Sequence, residues 1–331
     1  MILAIATEGT RELDAFHAVA KRLEQLGKKA VLFKQDRCLD GEYMTLTADD
    51  DGVQFILDID GESYPLTAFD TVWYMHPFVA PALLGFQPER YRHLITRQFA
   101  GMRKGLWHLM RHATWINDPW KTEAAESKIM QLDVAQRAGL RIPPTLITSD
   151  PQRVREFWHH FNGKVIVKQL NITPLWQEAM WTERVSQADI AKIDSVRMSP
   201  AIFQMEVPKL YELRVAMFGN EVFSLKLDSQ HDPETAVDWR RKPASGERAV
   251  TMEPAPTPAR LRRQLRSVLD SLGLFYGAFD LIYTPSGEYV FLEVNPNGQW
   301  YFMQLETGLP IADTVARILA GRTLPAVPAI R

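Results

Sequence analysis

The apolar run Ile2 to Ala6 reads as a buried strand. From Glu12 to Leu26 the pattern changes. Leu13, Phe16, Val19, Ala20, Leu23 and Leu26 recur at helical spacing, and Gly27 ends the segment. Lys29 to Phe33 reads as the next strand, so strand, helix and strand make an α/β unit on a parallel sheet. Met44 to Tyr64 alternates and is punctuated by Asp49-Asp50-Asp51-Gly52 and by Asp60-Gly61, the signature of hairpin strands. Thr71 to Met75 predicts another strand, ending at His76-Pro77. Glu89 to Leu109 predicts a long helix, and Trp115 to Pro119 closes this unit.

A second unit starts at Lys121. Lys128 to Ala138 reads as a helix stopped by Gly139, and Ile142-Pro143-Pro144-Thr145 leads into a strand. Lys164 to Lys168, Ala201 to Val207, Glu212 to Phe218 and Glu221 to Leu227 read as strands. Lys242 to Pro258, rich in proline and charge, reads as a mobile connection. Arg260 to Leu272 is a helix capped by Gly273, and Ile311 to Leu319 is the last helix.

Between those two helices lies the segment richest in chemistry. Gly277 to Tyr283 reads as a strand, Thr284-Pro285-Ser286-Gly287 as a tight turn, and Glu288 to Gly298 as the returning strand and a shaped loop. Phe279, Leu281, Val290, Leu292 and Val294 alternate with polar positions. Glu293 and Asn295 are two apart and therefore share a face. The hairpin brings Asp280 to them. Two carboxylates and an amide suit Mg²⁺, which takes few protein ligands and completes its shell with water and phosphate oxygens. The plainer alternative is a hairpin with acidic residues on its wet face.

Composition narrows the function classes. The 331 residues suffice for two or three domains, and 46% hydrophobic with 24% charged residues is ordinary for a soluble globular protein. A net charge of −2 supplies no global attraction to nucleic acid or anionic membrane, although Arg240-Arg241-Lys242 and Arg260 to Arg266 form local basic clusters. The single cysteine, Cys38, excludes an internal disulfide and a Cys₂ or Cys₄ metal site, and it fits a reducing cytoplasm. The apolar start is too short for a signal-peptide core, and no run approaches the roughly 18 residues of a membrane span. P-loop, G-x-S-x-G, kinase and H-E-x-x-H motifs are absent, and the first turn, Thr7-Glu8-Gly9-Thr10, lacks a dinucleotide fingerprint.

Several other residues carry potential chemistry. Lys168 ends an apolar strand and can act as a point charge for phosphate, or it can snorkel at a strand end. Lys128, near a helix start, can supply a second cation. Phe203 to Lys209 runs into a proline-bounded bend, where backbone groups can bond a purine edge; an edge strand ending at proline would look the same. Glu212 and Arg214 are two apart, as are Lys226 and Asp228, and Asp238-Trp239-Arg240 follows. Glutamate can bind ribose hydroxyls, and arginine or lysine can hold a phosphate in transfer. Any single pair could equally be a surface ion pair.

Taken in order, these residues resemble the ATP-grasp ligase superfamily. More narrowly, Glu206-Val207-Pro208-Lys209, Glu212-Leu213-Arg214-Val215, Asp238-Trp239-Arg240 and Phe291 to Trp300 resemble the microviridin-type peptide ligases among the graspetide (ω-ester-containing peptide) maturases. The motifs cover roughly residues 115 to 320, and the Asn295-Pro296-Asn297-Gly298-Gln299-Trp300 run is the most specific. The resemblance implies an ATP-grasp fold of the α/β (α+β) class with three units. These are an N-terminal α/β domain over 1–118, a central domain over 119–200 and a C-terminal domain over 201–325 that carries Mg-ATP.

It also implies the chemistry. ATP phosphorylates an Asp or Glu side chain of a ribosomally made precursor peptide, and a Ser or Thr hydroxyl or a Lys amine captures the acyl phosphate, closing a macrocycle. By position, Lys128 and Lys168 would touch phosphates. Met205 and Val207 would offer backbone to adenine, with Gln204 and Glu206 near it, and Glu212 would hold ribose. Asp280, Glu293 and Asn295 would bind Mg²⁺. Arg214, Lys226 and Arg240 would face the transferring phosphate. A leader segment of the precursor would lie against roughly Trp181 to Met198, which equally reads as a plain amphipathic helix. A homodimer is implied by the resemblance alone.

Two departures stand out. Gln169 to Glu178, where a phosphate-covering loop is expected, contains no glycine, and Met205 stands where the superfamily often has Glu. Two other readings remain: a ligase joining amino acids or other small carboxylates and amines, and a non-catalytic nucleotide-binding scaffold.

Overall fold

A computed structural model describes residues 1–8, 12–75, 77, 89–170, 182–232, 235–241 and 250–321. Strands β1 (Ile2–Ala6), β2 (Ala30–Lys34), β6 (Thr71–Tyr74) and β7 (Thr114–Ile116) form a parallel sheet in the order β2-β1-β6-β7. Every residue of β1 is buried because both faces are covered. Leu3 and Ile5 meet Leu106, Trp107 and Met110, at and just beyond the C-terminal end of helix α2 (Glu89–Leu109). Ile2, Ala4 and Ala6 join a core shared with Phe16, Val19 and Leu23 of helix α1 (Glu12–Gln25).

The alternating segment forms the antiparallel strands β3 (Tyr43–Asp49), β4 (Gly52–Ile59) and β5 (Glu62–Pro65). Asp60 and Gly61 both have positive φ, 48° and 81°, the backbone that a two-residue hairpin turn requires.

Asp118 caps helix α3 (Pro119–Ala125), and Ser127 caps helix α4 (Lys128–Arg137). Next comes an antiparallel sheet in the order β10-β9-β11-β8. Its strands are β8 (Thr145–Thr148), β9 (Val165–Lys168), β10 (Glu183–Arg184) and β11 (Ala201–Met205). Val165 and Phe203 pack against Val154 of helix α5 (Pro151–His160), Ile190 of helix α6 (Gln187–Ala191), and Ile193 and Val196. The segment expected to be a leader-binding or plain amphipathic helix is thus β10, the short α6 and a 3₁₀ turn, with its apolar residues turned into this core. Trp181 and most of the expected phosphate-covering loop, residues 171–178, lie outside the described residues.

The last sheet is antiparallel, in the order β14-β13-β12-β15-β16. Its strands are β12 (Tyr211–Phe218), β13 (Glu221–Asp228), β14 (Thr251–Pro254), β15 (Tyr276–Tyr283) and β16 (Tyr289–Asn295). Strand β14 corrects the expectation of an unstructured connection: Thr251–Pro254 pairs with β13. Most of the rest of that connection, residues 242–249, lies outside the described residues.

One face of this sheet buries Leu213, Val215, Phe279, Leu281 and Phe291 against Leu261, Leu265, Val268 and Leu269 of helix α7 (Ala259–Leu272). Each buried aliphatic side chain contributes roughly 1.5–3 kcal/mol, so α7 anchors this face and leaves the other for chemistry. At one end the other face meets α1, helix α8 (Tyr301–Thr307) and helix α9 (Ile311–Leu319). Among the described residues no helix is long and apolar enough to cross a membrane.

Candidate active site

Three strands of the last sheet set one row of side chains. Arg214 on β12 is the register partner of Asp280 on β15, and Asp280 is the partner of Glu293 on β16. Directly opposite residues of an antiparallel pair share a face, so this row stands together on the side away from α7. A bulge follows immediately: Leu281 pairs with Phe291, leaving Leu292 as the extra residue. The sequence alternation put Leu292 on the buried face. Phe291 takes that place instead, and the bulge re-aims the strand at the carboxylates.

The charges in the row are mutually compensated. Arg214 Nη1 donates to Asp280 Oδ2 at 2.8 Å, and its Nη2 donates to the Gln299 carbonyl at 3.0 Å. The approach depends on Gly298. A Cβ there would lie 2.4 Å from Ala278 Cβ and 2.7 Å from Arg214 Nη2. Lys128 Nζ donates to Glu293 Oε2 at 2.7 Å. Burial alone would raise the pKa of Glu293, but Lys128, helped by Lys168 and Arg240, holds it down at about 2. Asp280 moves upward, because burial and the Glu293 charge outweigh Arg214. Asn295 lies two residues beyond Glu293, and its Oδ1 accepts from Asn297 N–H at 3.0 Å.

The central sheet supplies the opposing wall. Lys168 pairs with Ile202, and Ile166 with Gln204, so these four side chains share the face away from the central core. Lys168 Nζ has no hydrogen-bond partner among the described residues. Burial lowers its pKa, against the attraction of Glu293. Asp238 and Arg240 also act on Lys168. Arg240 grips Asp238 through two bonds of 2.8 and 2.6 Å, and this pairing raises the arginine further.

Toward the hinge, Glu212 accepts from Lys209 Nζ at 2.6 Å and from Ser229 Oγ at 3.0 Å. Gln204 is 3% exposed. Its Nε2 donates to Thr145 Oγ1 at 2.9 Å, while its Oε1 is buried without a partner. Hinge backbone is partly spent: Met205 N–H bonds the Pro144 carbonyl at 3.0 Å, and Glu206 N–H bonds the Lys164 carbonyl at 2.9 Å. Val207 N–H has no partner among the described residues. The Glu206 carboxylate is held by Arg184 through both oxygens at 3.0 Å. The expected adenine contact of Met205 can therefore come only from its carbonyl or side chain.

Lys226 is not brought to this site. Its register partners are Leu213 and Glu253, so it stands on the α7 side of the sheet. There it pairs with Glu253 at 2.8 Å and lies 5.4 Å from the Tyr211 ring. The i, i+2 spacing with Asp228 gave a shared face but could not say which face. Two residues that the sequence did not mark, Asn117 and Gln131, are 1% exposed and bond the backbone of β15 and β16. Nothing in a lone Asn or Gln codon signals such a role, although Gln131 lies one helical turn after Lys128.

The donors fit a magnesium nucleotide. Among the described residues no group of three or more His, Cys, Asp or Glu side chains could hold a metal. Two carboxylates and an amide leave positions for water and phosphate oxygens, as Mg²⁺ prefers. Lys128 and Lys168 both act on the Glu293 carboxylate, and Gln204 Oε1 is buried with no partner among the described residues.

Comparison with solved structures agrees with this geometry. The macrocyclase MdnC from Microcystis aeruginosa MRC, solved with the precursor peptide MdnA, is 26% identical. The match covers 97% of this chain and 99% of that one, with a TM-score of 0.83. The chain has the ATP-grasp fold. The macrocyclase MdnB from the same organism is 28% identical over 96% of this chain and 98% of its own, with a TM-score of 0.77. A RiPP-associated ATP-grasp ligase of Chryseobacterium gregarium, in complex with ADP and a leader and core peptide, is 22% identical over 98% of both chains, with a TM-score of 0.83. No family model matches the chain, and no curated protein matches it. The ATP-grasp likeness therefore rests on three-dimensional structure and on the motifs of the cleft.

Proposed function

We propose that this chain is an ATP- and Mg²⁺-dependent, ADP-forming peptide ligase that closes macrocycles in a ribosomally made precursor. The carrying observation is the Arg214–Asp280–Glu293 row facing Lys168 across the cleft. Likeness to MdnC, which was solved with its precursor peptide, supports a peptide as the substrate. We divide the chain near residue 118 and, moving the expected boundary at 200 a few residues on, near residue 205, because β11 (Ala201–Met205) lies between β9 and β8 and shares the central sheet's buried cluster. We assign it to the cytoplasm, where ATP is available.

In this reading Asp280, Glu293 and Asn295 hold the metal. Bound Mg²⁺ spreads the charge of the triphosphate and lowers the cost of phosphoryl transfer. Lys128 and Lys168 bind phosphate oxygens, and Gln204 Oε1 with Val207 N–H meets the purine edge. Arg214 and Arg240 hold the acceptor carboxylate and the γ-phosphate in line. A side-chain carboxylate oxygen of the peptide takes the γ-phosphoryl group, and ADP leaves. A hydroxyl or amine of the same peptide then attacks the acyl carbon, expels phosphate and loses its proton. No protein nucleophile is needed. The reaction requires that the acyl phosphate be held in place and kept from water. Leader contacts on residues 182–198 would fall to exposed side chains such as Met198, 91% exposed, because the apolar ones are used in the central core.

The test is mass spectrometry of a precursor peptide incubated with the protein, ATP and Mg²⁺. Loss of one water per ring, abolished by Glu293→Gln, supports the proposal. ADP formation with a free amino acid, and no change in the peptide, would move the function to small-molecule ligation.

A further inference from the structure

The metal donors Glu293 and Asn295 stand on β16, which is the terminal strand of its sheet. An edge strand has one row of backbone groups with no neighbouring strand to bond, and it is the part of a sheet most free to shift. A site that must hold a cation within a few tenths of an ångström cannot tolerate that freedom.

Two buried amides from the linking segment remove it. Gln131 of α4 donates Nε2 to the Val294 carbonyl at 2.7 Å and to the Ala125 carbonyl at 2.7 Å, and its Oε1 accepts from Val294 N–H at 3.2 Å. Val294 lies between the two donors, and one side chain satisfies both of its edge-facing groups. The amide takes the place of a neighbouring strand beside the donors, as the Arg141 carbonyl does farther along β16, where it accepts from Phe291 N–H at 2.8 Å. Asn117, just beyond β7, works on the other side of Asn295. Its Nδ2 donates to the Pro296 carbonyl at 2.7 Å and the Tyr276 carbonyl at 2.8 Å. Its Oδ1 accepts from Phe275 N–H at 2.9 Å and Tyr276 N–H at 2.8 Å. Both amides are 1% exposed.

We infer that Gln131 and Asn117 are positioning residues that fix the backbone on either side of Asn295 and thereby set the affinity of the metal site. This rests on reading Asp280, Glu293 and Asn295 as metal donors. Because α4 also carries Lys128, the helix that pins the strand is the helix that presents a cation to Glu293.

The experiment measures Mn²⁺ binding to the full chain with ADP present, by electron paramagnetic resonance, alongside Tm. Gln131→Met removes the polar clamp with little change in volume. Leu265→Ala, on the α7 side of the same sheet, is the control for general destabilisation. The expected result is an Mn²⁺ Kd raised about 10-fold or more in Gln131→Met, against a change within about twofold in Leu265→Ala, although both lower Tm. If Gln131→Met does not fold, Gln131→Asn, which keeps the amide but shortens its reach, is measured instead. Equal Kd values in the clamp variant and the wild type would overturn the positioning role alone. Absence of Mn²⁺ binding by the wild type would overturn the metal reading, and this inference with it.

Discussion

Lys128 Nζ sits 2.7 Å from Glu293 Oε2, joining a helix start to an edge strand across 165 residues of sequence. Under the proposed function Glu293 would serve the metal and Lys128 a phosphate; here the two neutralise each other. Glu293 is held near a pKa of about 2, below its ordinary value, so its ionised form is favoured in the fold. The stability from this pair is fully present above the unfolded carboxylate pKa of about 4.3 and is lost as pH falls toward about 2. Lys128→Met is expected to cost roughly 1.5–3 kcal/mol at neutral pH. The Tm gap to wild type should narrow between pH 4.5 and acid unfolding. A gap that is constant or widens on acidification would show that the pair does not set the Glu293 ionisation.

Gly298 is demanded by space. An added methyl meets Ala278 Cβ, which yields only if the Gly298 backbone shifts, and Arg214 Nη2, whose tip can move aside. Gly298→Ala is therefore expected to displace Arg214 from Asp280. We expect kcat to fall at least 100-fold, against a stability loss of roughly 1–3 kcal/mol. Steady-state ADP release and thermal unfolding, measured side by side, check the split.

Lys226 and Arg240 make a paired test of which face does the work. Lys226 is half-buried, on the α7 side, paired with the exposed Glu253. Lys226→Ala should leave kcat within twofold and change stability by less than about 1 kcal/mol. Arg240→Ala removes a cation that acts on Asp280 and Glu293, and it should abolish peptide modification. Equal loss in both variants would put the reaction on a different surface.

The hairpin, its turn and the shared face of Glu293 and Asn295 were legible in the sequence, because alternation and turn chemistry are local. So was the α/β unit at the start. The bulge at Leu292 was not: the alternation there is apolar on both sides of the slip, and only pairing with β15 shows which residue is extra. Strand β14 was hidden because proline and charge are as common on an edge strand as in a loop. Lys226 was misassigned because spacing gives relative and not absolute facing. Asn117 and Gln131 escaped because the strand groups they bond are backbone groups more than 150 residues away.

Gln204 offers a test of nucleotide choice. Its amide orientation follows from a chain of bonds. Thr145 Oγ1 donates to the Pro143 carbonyl at 2.8 Å, so its lone pairs must receive Gln204 Nε2, which leaves Oε1 without a partner among the described residues. A buried acceptor without a partner costs about 1–3 kcal/mol until a donor arrives. The exocyclic amine of adenine is a donor, whereas the corresponding oxygen of guanine is an acceptor and would repel it. Wild-type protein should therefore bind ADP at least about 10-fold more tightly than GDP, the equivalent of about 1.4 kcal/mol. Gln204→Met removes both the reward for the amine and the penalty for the oxygen. Calorimetric titration of the two diphosphates should show ADP affinity falling and the ratio collapsing toward unity. A ratio unchanged in Gln204→Met would mean that the purine is read elsewhere, with the Val207 backbone as the remaining hinge donor.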